Sequence, residues 1–271
     1  MTEEKGIVRD NYEYWSQRAA GYSDVNKWEL AGESRSRWKT VLSRLISEHY
    51  PGCEPSSIKI LDVGAGPGFI AIILSELGYC VTAVDMVPEM LNEARQNAQN
   101  YLGSISDAET GAKAGSLVFR IADAEGLDID DSAYDVVVSR NLTWNLPHPE
   151  IAYREWNRVL KDGGLLLNFD SNWYHYLFDD SKREAYESDR ANSEALGMDD
   201  QNVGENFDVM EDIARNMPLS KISRPGWDAE ILEGLGMRVS SAADAWREVW
   251  TLQEQTNFLS TPMFVVKAVK Q

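Results

Sequence analysis

Two hydrophobic periods alternate along this chain. Residues 33–48 place Trp38, Val41, Leu42, Leu45 and Ile46 on one face of a helix, with polar residues on the other. Compact apolar runs and helical patterns then take turns. A strand is predicted over 58–63, a helix over 67–77, and a strand over 79–85. Pro88 opens a helix to about residue 100, with Met90, Leu91 and Ala94 facing inward. A third strand is predicted over 117–121. Tyr134–Arg140 is a near-continuous apolar run, which suits a strand buried on both faces of a parallel sheet. A helix over 149–160 follows. Gly163-Gly164 predicts its stop and a turn into a fifth buried strand ending at Asp170.

Outside this alternation, residues 10–22 read as a short aromatic-rich helix ended by Gly21. Pro51 to Ser57 and Gly103 to Ser116 read as loops, the second mobile. Residues 171–222 break the rhythm. They hold Asn172-Trp173-Tyr174-His175-Tyr176, a charged helical stretch, a Gly/Asn/Asp-rich piece around 197–208 and a helix from Val209 to Met217. A helix over 227–235 and strands near 237–242 and 262–269 close the chain. There is no internal repeat.

The chain is organised around Ile58 to Leu74, where an apolar run ends at Asp62 and three glycines follow at alternate positions. Strand, tight turn and helix are predicted in that order. Glycine allows a ligand to touch the backbone, and a fresh helix presents unpaired N–H groups and a positive dipole end. A dinucleotide site has the spacing G-x-G-x-x-G, whereas Gly64, Gly66 and Gly68 give G-x-G-x-G. Asp62 would repel a pyrophosphate and attract an ammonium group, so a ligand with an amino-acid part is favoured. Asp85 ends the second strand about twenty residues past the glycines, where an acidic side chain binds ribose hydroxyls.

Asp62-x-Gly64-x-Gly66-x-Gly68 closely resembles motif I of the class I (Rossmann-like) S-adenosylmethionine (SAM) methyltransferases. Ala122-Asp123-Ala124-Glu125-Gly126-Leu127 after strand three resembles a second pattern of that family, and Arg158-Val159-Leu160-Lys161-x-Gly163-Gly164 a third. Ser139-Arg140-Asn141-x-x-Trp144-x-Leu146-Pro147 is similar to the type 11 subgroup, which acts on small molecules; the nucleobase motif Asp/Asn-Pro-Pro-aromatic is missing there.

The resemblance implies a doubly wound, seven-stranded, mostly parallel sheet with its last strand antiparallel. It divides the chain into a helical N-terminal cap (1–57), a cofactor core (58–170), a helical lid after strand five (171–222) and a C-terminal end of the sheet (223–271). It also implies SAM as cofactor and methyl transfer to a small-molecule acceptor. Asp62, Gly64, Ala65, Gly66, Gly68, Asp85, Met86, Asp123, Ala124, Arg140, Asn141, Tyr22 and Arg18 are expected at the cofactor. Asp123 and the Ala124 N–H would meet the adenine edge, and Met86 its face. Tyr12, Trp15, Trp144, Asn145, Trp173 and Tyr174 are expected at the acceptor, with Tyr14 nearby. Asp170 and His175 are the candidates for a base. An NAD-dependent oxidoreductase and a non-catalytic SAM-binding module are the alternatives.

Composition narrows the partners. The net charge is −18, which opposes nucleic acid as a partner. No run reaches membrane-spanning length, and no basic segment followed by an apolar block opens the chain, so a cytoplasmic protein, monomer or homodimer, is expected. Two scattered cysteines read as free thiols, and no metal site is expected from them or from Asp170, His175, Asp179 and Asp180. His49 sits at a helix end and reads as structural.

Overall fold

A computed structural model describes residues 2–105, 115–198 and 207–271. Its centre is a seven-stranded sheet built from β1 (Lys59–Val63), β2 (Cys80–Asp85), β3 (Leu117–Ile121), β4 (Tyr134–Arg140), β5 (Leu160–Asp170), β6 (Arg238–Ala242) and β7 (Phe264–Val269). The spatial order is β3-β2-β1-β4-β5-β7-β6, with β7 antiparallel to both neighbours. β1 therefore lies between β2 and β4, where the winding direction reverses. A crevice opens beyond the strand ends at such a point.

One face of the sheet carries α3 (Phe69–Glu76), α2 (Glu33–His49) and the long α1 (Thr2–Ala31), and α4 (Pro88–Ile105) packs beside them. Phe69 to Leu74 are all buried, because α3 is enclosed between the sheet and α2 and has no solvent face. α5 (Pro149–Val159) and α8 (Gly226–Gly234) cover the opposite face, where Ala152, Tyr153, Trp156 and Val159 form the apolar stripe of α5. A third apolar cluster lies above the strand ends. There α7 (Phe207–Ala214) contributes Met210, Ile213 and Ala214, packed with Trp144, Tyr176 and Leu177. The remaining helices are α6 (Asp180–Ala195), α9 (Trp246–Val249) and α10 (Leu252–Phe258).

Three expectations need correction. Gly21 does not end a helix: α1 runs to Ala31, because its contacts with α4 and α2 outweigh the weak propensity of one glycine. Gly163-Gly164 does not stop α5 either. The helix ends at Val159, Leu160 is already extended and pairs with Tyr134, and the register then jumps to Val136–Leu165. The two glycines lie in the resulting bulge, where Gly163 has φ +74° and a Cβ on Gly164 would sit 2.7 Å from the Lys161 carbonyl oxygen. The loop read at Gly103–Ser116 gives way to α4 as far as Ile105; residues 106–114 lie outside the described residues, as do 199–206 of the Gly/Asn/Asp-rich piece. His49 meets the Gly163 carbonyl oxygen through Nε2 at 2.8 Å, away from the strand ends.

A buried ionic network joins the tip of β5 to α8. Arg224 donates to Asp170 Oδ2 at 2.7 Å and to Asp228 through Nε and Nη2, and all three side chains are fully buried. Asp170 Oδ1 accepts from the Ser171 N–H and Oδ2 from the Trp144 N–H. Tyr153 donates to Asp228, and Asn168 links Tyr153 to Thr143. Removing one partner of such a group leaves a charge buried and uncompensated. Arg224→Met is expected to cost about 3–5 kcal/mol in urea unfolding; a loss below about 1 kcal/mol would show that the network is not a major support of this fold.

Candidate active site

The glycine turn is shaped from within. Gly64, Gly66 and Gly68 have φ of +69°, +51° and +94°, a region closed to most side chains. The N–H groups of Gly64 and Ala65 both donate to the Val84 carbonyl at 2.9 Å. The Gly66 N–H donates to Asp85 Oδ2 and the Val87 N–H to Asp85 Oδ1, each at 2.9 Å. Asp85 thus clamps the turn to the end of β2. Burial pushes its carboxyl above the ordinary value, and these amide donors oppose that shift. The space left by missing Cβ atoms is not all for a ligand. A Cβ on Gly64 would stand 2.6 Å from the Leu142 side chain, and one on Gly68 3.1 Å from the Ala94 Cβ.

Two adjoining cavities lie over the strand ends. The first, about 130 Å³, is bordered by Gly64, Gly66, Asp85, Met86, Asp123 and Glu125 from the sheet side. Asn11, Tyr12, Trp15 and Tyr22 of α1 close it, with Asn141 and Asn145 of the loop after β4. The second, about 210 Å³, lies inward and is walled by rings: Tyr14, Trp144, Trp173, Tyr174, Tyr176, Tyr186, Trp250 and Phe258. Trp15, Tyr22, Arg140 and Asn141 border both cavities and form the partition between them.

The partition has an ionic anchor. Arg140, at the end of β4, pairs with Glu29 of α1 and stands 4.6 Å from the Phe69 ring and 4.9 Å from the Trp38 ring. Burial raises the Glu29 carboxyl, while Arg140 and Asn26 hold it down. Asn141, next in sequence, has φ +56° and turns the chain over the cavities.

The structure brings most of the sequence-derived residues to this place. Gly64, Gly66, Asp85, Met86, Asp123, Arg140, Asn141, Tyr12, Trp15, Tyr22 and Asn145 border the outer cavity, and Trp144, Trp173, Tyr174 and Arg18 the inner one. Ala65, Gly68 and Ala124 support the wall from behind and do not border either cavity. Ala124 is buried, and its carbonyl accepts from Trp156 Nε1. Arg18 borders the inner cavity and not the outer one.

Both candidates for a base fall outside the cavities as well. Asp170 is consumed by Arg224 and by the backbone of Ser171 and Trp144, and His175 borders neither cavity, although Tyr176 beside it borders the inner one. Asp179 caps α6 through the Lys182 N–H. Sequence reading missed Glu29, Asn11, Tyr186, Trp250 and Phe258, which reach the site from remote elements. Only Glu29 carried a signal: it lies on the same helical pattern as Tyr22, hidden by the stop assigned to Gly21.

Asp62 is corrected most. It is 1% exposed and stands behind the glycine turn, bordering neither cavity. Its carboxyl meets the Ala71 N–H in the first turn of α3, while Oδ2 has no partner. Burial, with Asp85 adding to it, pushes the Asp62 carboxyl up to about 7; the Ala71 N–H and Arg140 oppose the shift.

The outer cavity is rich in acceptors. Asn11 and Asn145 are both 6% exposed and each has a buried Oδ1 without a partner; Asn141 Oδ1 is in the same state. A carboxylate has about four acceptor positions, so Asp85 retains capacity beyond its backbone partners. Among the described residues bordering this cavity, the one basic side chain is Arg140, already paired with Glu29. A wall of this kind suits a ligand offering hydroxyl, amino and ammonium donors. It does not suit a pyrophosphate.

Known proteins agree with this geometry. Residues 61–168 match the type 11 family model described as a methyltransferase domain. A malonyl-[acyl-carrier protein] O-methyltransferase of Geobacter sulfurreducens is 35% identical over 130 residues, 47% of this chain and 43% of that protein. A ubiquinone biosynthesis O-methyltransferase of Vibrio atlanticus is 31% identical over 155 residues, 56% of this chain and 60% of that protein. A demethylmenaquinone methyltransferase of Leptospira interrogans is 28% identical over 182 residues, 64% of this chain and 66% of that protein. The chain thus matches under two thirds of the length of each of these relatives. A SAM-dependent methyltransferase structure from Aquifex aeolicus shares the fold, with TM-score 0.54 at 18% identity over 92% of this chain and 98% of that one. Residues 61–168 thus match a methyltransferase domain of the type 11 family, and the chain has the fold of the Rossmann-like SAM-dependent methyltransferases.

The buried Asp62 carboxyl generates a pH dependence. With a folded value of about 7 against an ordinary value of 3.8, the native state holds this proton over a window in which the unfolded chain has lost it. Stability is therefore full below about pH 4, declines between about pH 4 and 7, and is flat above, by roughly 4 kcal/mol in all. Asp62→Asn removes the titration. The variant should gain on the parent in chemical denaturation as pH rises from 5 to 8. An unchanged difference between the two proteins across that range would mean that Asp62 is already ionised at pH 5.

Proposed function

We propose that this protein transfers a methyl group from SAM to a small-molecule acceptor, leaving S-adenosylhomocysteine. The observation that carries this reading is the pair of adjoining cavities, one acceptor-lined at the glycine turn and one aromatic, with a shared partition. Asp85 would accept the ribose hydroxyls, Asp123 would meet the adenine edge, and Met86 would lie against its face. Bound SAM supplies a methyl group already attached to a good leaving group, the sulfonium. The protein's work is then alignment and exclusion of water. Trp15, Tyr22 and Asn141 in the partition would set the approach of the acceptor, and the rings of the inner cavity would keep it dry.

Among the described residues, no side chain bordering the inner cavity is poised to take a proton. Burial raises the Tyr174 and Tyr176 hydroxyls above their ordinary value, so they serve as neutral donors. Glu29 is held by Arg140. An acceptor that ionises by itself or attacks as a neutral amine fits this environment.

The relatives are named for quinone and acyl-carrier-protein methylation, and an inner cavity of about 210 Å³ favours a compact acceptor. The charge of −18 supports a small molecule over nucleic acid. Among the described residues no helix is long and apolar enough to cross a membrane. We read the protein as cytoplasmic, a monomer or homodimer, with 1–57 as a helical cap, 171–222 as the lid of the inner cavity and 223–271 completing the sheet behind it.

Isothermal titration checks the cofactor. S-adenosylhomocysteine should bind and NAD should not, and Asp85→Ala should weaken S-adenosylhomocysteine by more than about tenfold, since each charge-assisted bond contributes about 1.5–3 kcal/mol. No heat from S-adenosylhomocysteine would end the proposal. Binding without turnover on any metabolite pool would instead mark a non-catalytic SAM-binding module.

A further inference from the structure

Gly21 sits in the interior of α1, a position where glycine weakens a helix. Its reason lies one turn earlier. A Cβ built on Gly21 would stand 2.4 Å from Nη1 of Arg18. The guanidinium lies folded back against the helix in the space that glycine leaves. In that seat it borders the inner cavity on one side. On the other side it borders a groove of about 500 Å³ between α1 and α7. It does not border the outer cavity with Asp85 and the glycine turn.

Asp10, Glu13 and Asp212 line the groove that Arg18 borders, but none of them is paired with it. The Arg18 side chain meets the Tyr14 hydroxyl, and among the described residues no carboxylate forms an ion pair with it. The other charged groups of the inner cavity are occupied. Arg140 is paired with Glu29. Glu254 Oε2 accepts from the Thr251 N–H, the Thr251 hydroxyl and the Ser34 hydroxyl, at 2.7, 2.8 and 3.2 Å. The remaining wall is mostly aromatic, with Asn141, Asn257, Thr261, Val25 and Met263 between the rings. A net charge of −18 repels anions at long range. A guanidinium with no paired carboxylate, held at the throat of a mostly aromatic cavity, is a local exception to that field, and a planar fork suits a carboxylate.

We propose that Arg18 receives a carboxylate carried by the acceptor, so that the inner cavity selects a compact aromatic acid over its neutral and cationic analogues, with Gly21 setting the position of the guanidinium. This rests on reading the inner cavity as the acceptor's. The cofactor's amino-acid part also carries a carboxylate, and the experiment separates the two sources.

Protein saturated with S-adenosylhomocysteine is titrated calorimetrically with three probes of one shape: 3-phenylpropionate, 3-phenylpropanamide and 3-phenylpropylamine. The acid should bind at least about tenfold more tightly than either analogue, the value of a charge-assisted pair. Arg18→Gln should abolish that preference, and Arg18→Lys should retain part of it as a point charge without the fork. Both should leave affinity for S-adenosylhomocysteine unchanged. Gly21→Ala should raise Tm by about 2–4 °C through helix propensity while weakening the acid by about tenfold, because the new methyl group displaces the guanidinium. A merely structural glycine would not separate stability from binding in this way.

Equal or tighter binding of the amide or amine overturns the proposal, as does an acid that fails to bind at millimolar concentration. If Arg18→Gln weakens S-adenosylhomocysteine itself, the guanidinium holds the cofactor's carboxylate and the proposal is wrong, while the cofactor reading stands. If the parent does not bind S-adenosylhomocysteine, the reading on which the proposal rests fails first, and the proposal with it.

Discussion

The site depends on one buried ion pair, Arg140 with Glu29. Arg140 ends β4, and Glu29 stands near the far end of α1. Their union, stacked on Trp38 and Phe69, ties a 30-residue helix across the open ends of the sheet. Everything α1 contributes follows from that tie: Asn11, Tyr12, Trp15 and Tyr22 at the outer cavity, Tyr14 and Arg18 at the inner one. A buried pair is a poor source of stability, because desolvation offsets the attraction. Its value here is register. Glu29 is the α1 carboxylate that meets Arg140, which fixes where the helix crosses the strand ends.

A second contrast runs between satisfied and unsatisfied polar groups. Behind the cavities, Asp170, Arg224, Asp228, Tyr153 and Asn168 join one connected hydrogen-bonded network. At the cavities, Asn11, Asn141 and Asn145 each keep a buried acceptor without a partner. Buried polar groups are normally paired. The network fixes the Trp144 backbone and with it one wall of the inner cavity, and the three orphaned acceptors belong to residues that border the outer one. Asp170 could be mistaken for a base from its place at a strand tip; its partners show that it holds the wall in position.

Much of the architecture was legible because it is written in local pattern. The apolar runs over 58–63, 79–85, 117–121 and 134–140 became β1 to β4 within a residue or so, since a strand buried on both faces requires an unbroken apolar run. Asp85 and Asp123 border the outer cavity because the ends of β2 and β3 open onto the crevice. The errors share a cause. Gly21 and Gly163-Gly164 read as helix stops, and in each case a contact remote in sequence decided otherwise: α1 against α4 and α2, and the bulge opposite Asp135. The three glycines of the turn were assigned to ligand approach, while two of them make room for Leu142 and Ala94.

By itself the sequence determined the order of strands and helices, the positive-φ turn after β1 and the acidic ends of β1 and β2, because periodicity, glycine and short-range spacing depend only on neighbouring residues. Tertiary structure alone decided which carboxylates are available. Asp62 and Asp170 are both strand-end aspartates and both are buried away from the cavities, whereas Asp85, of the same local type, borders one. It also decided that α1 divides the crevice in two, since the Arg140–Glu29 pair spans more than a hundred residues and no local pattern encodes such a distance.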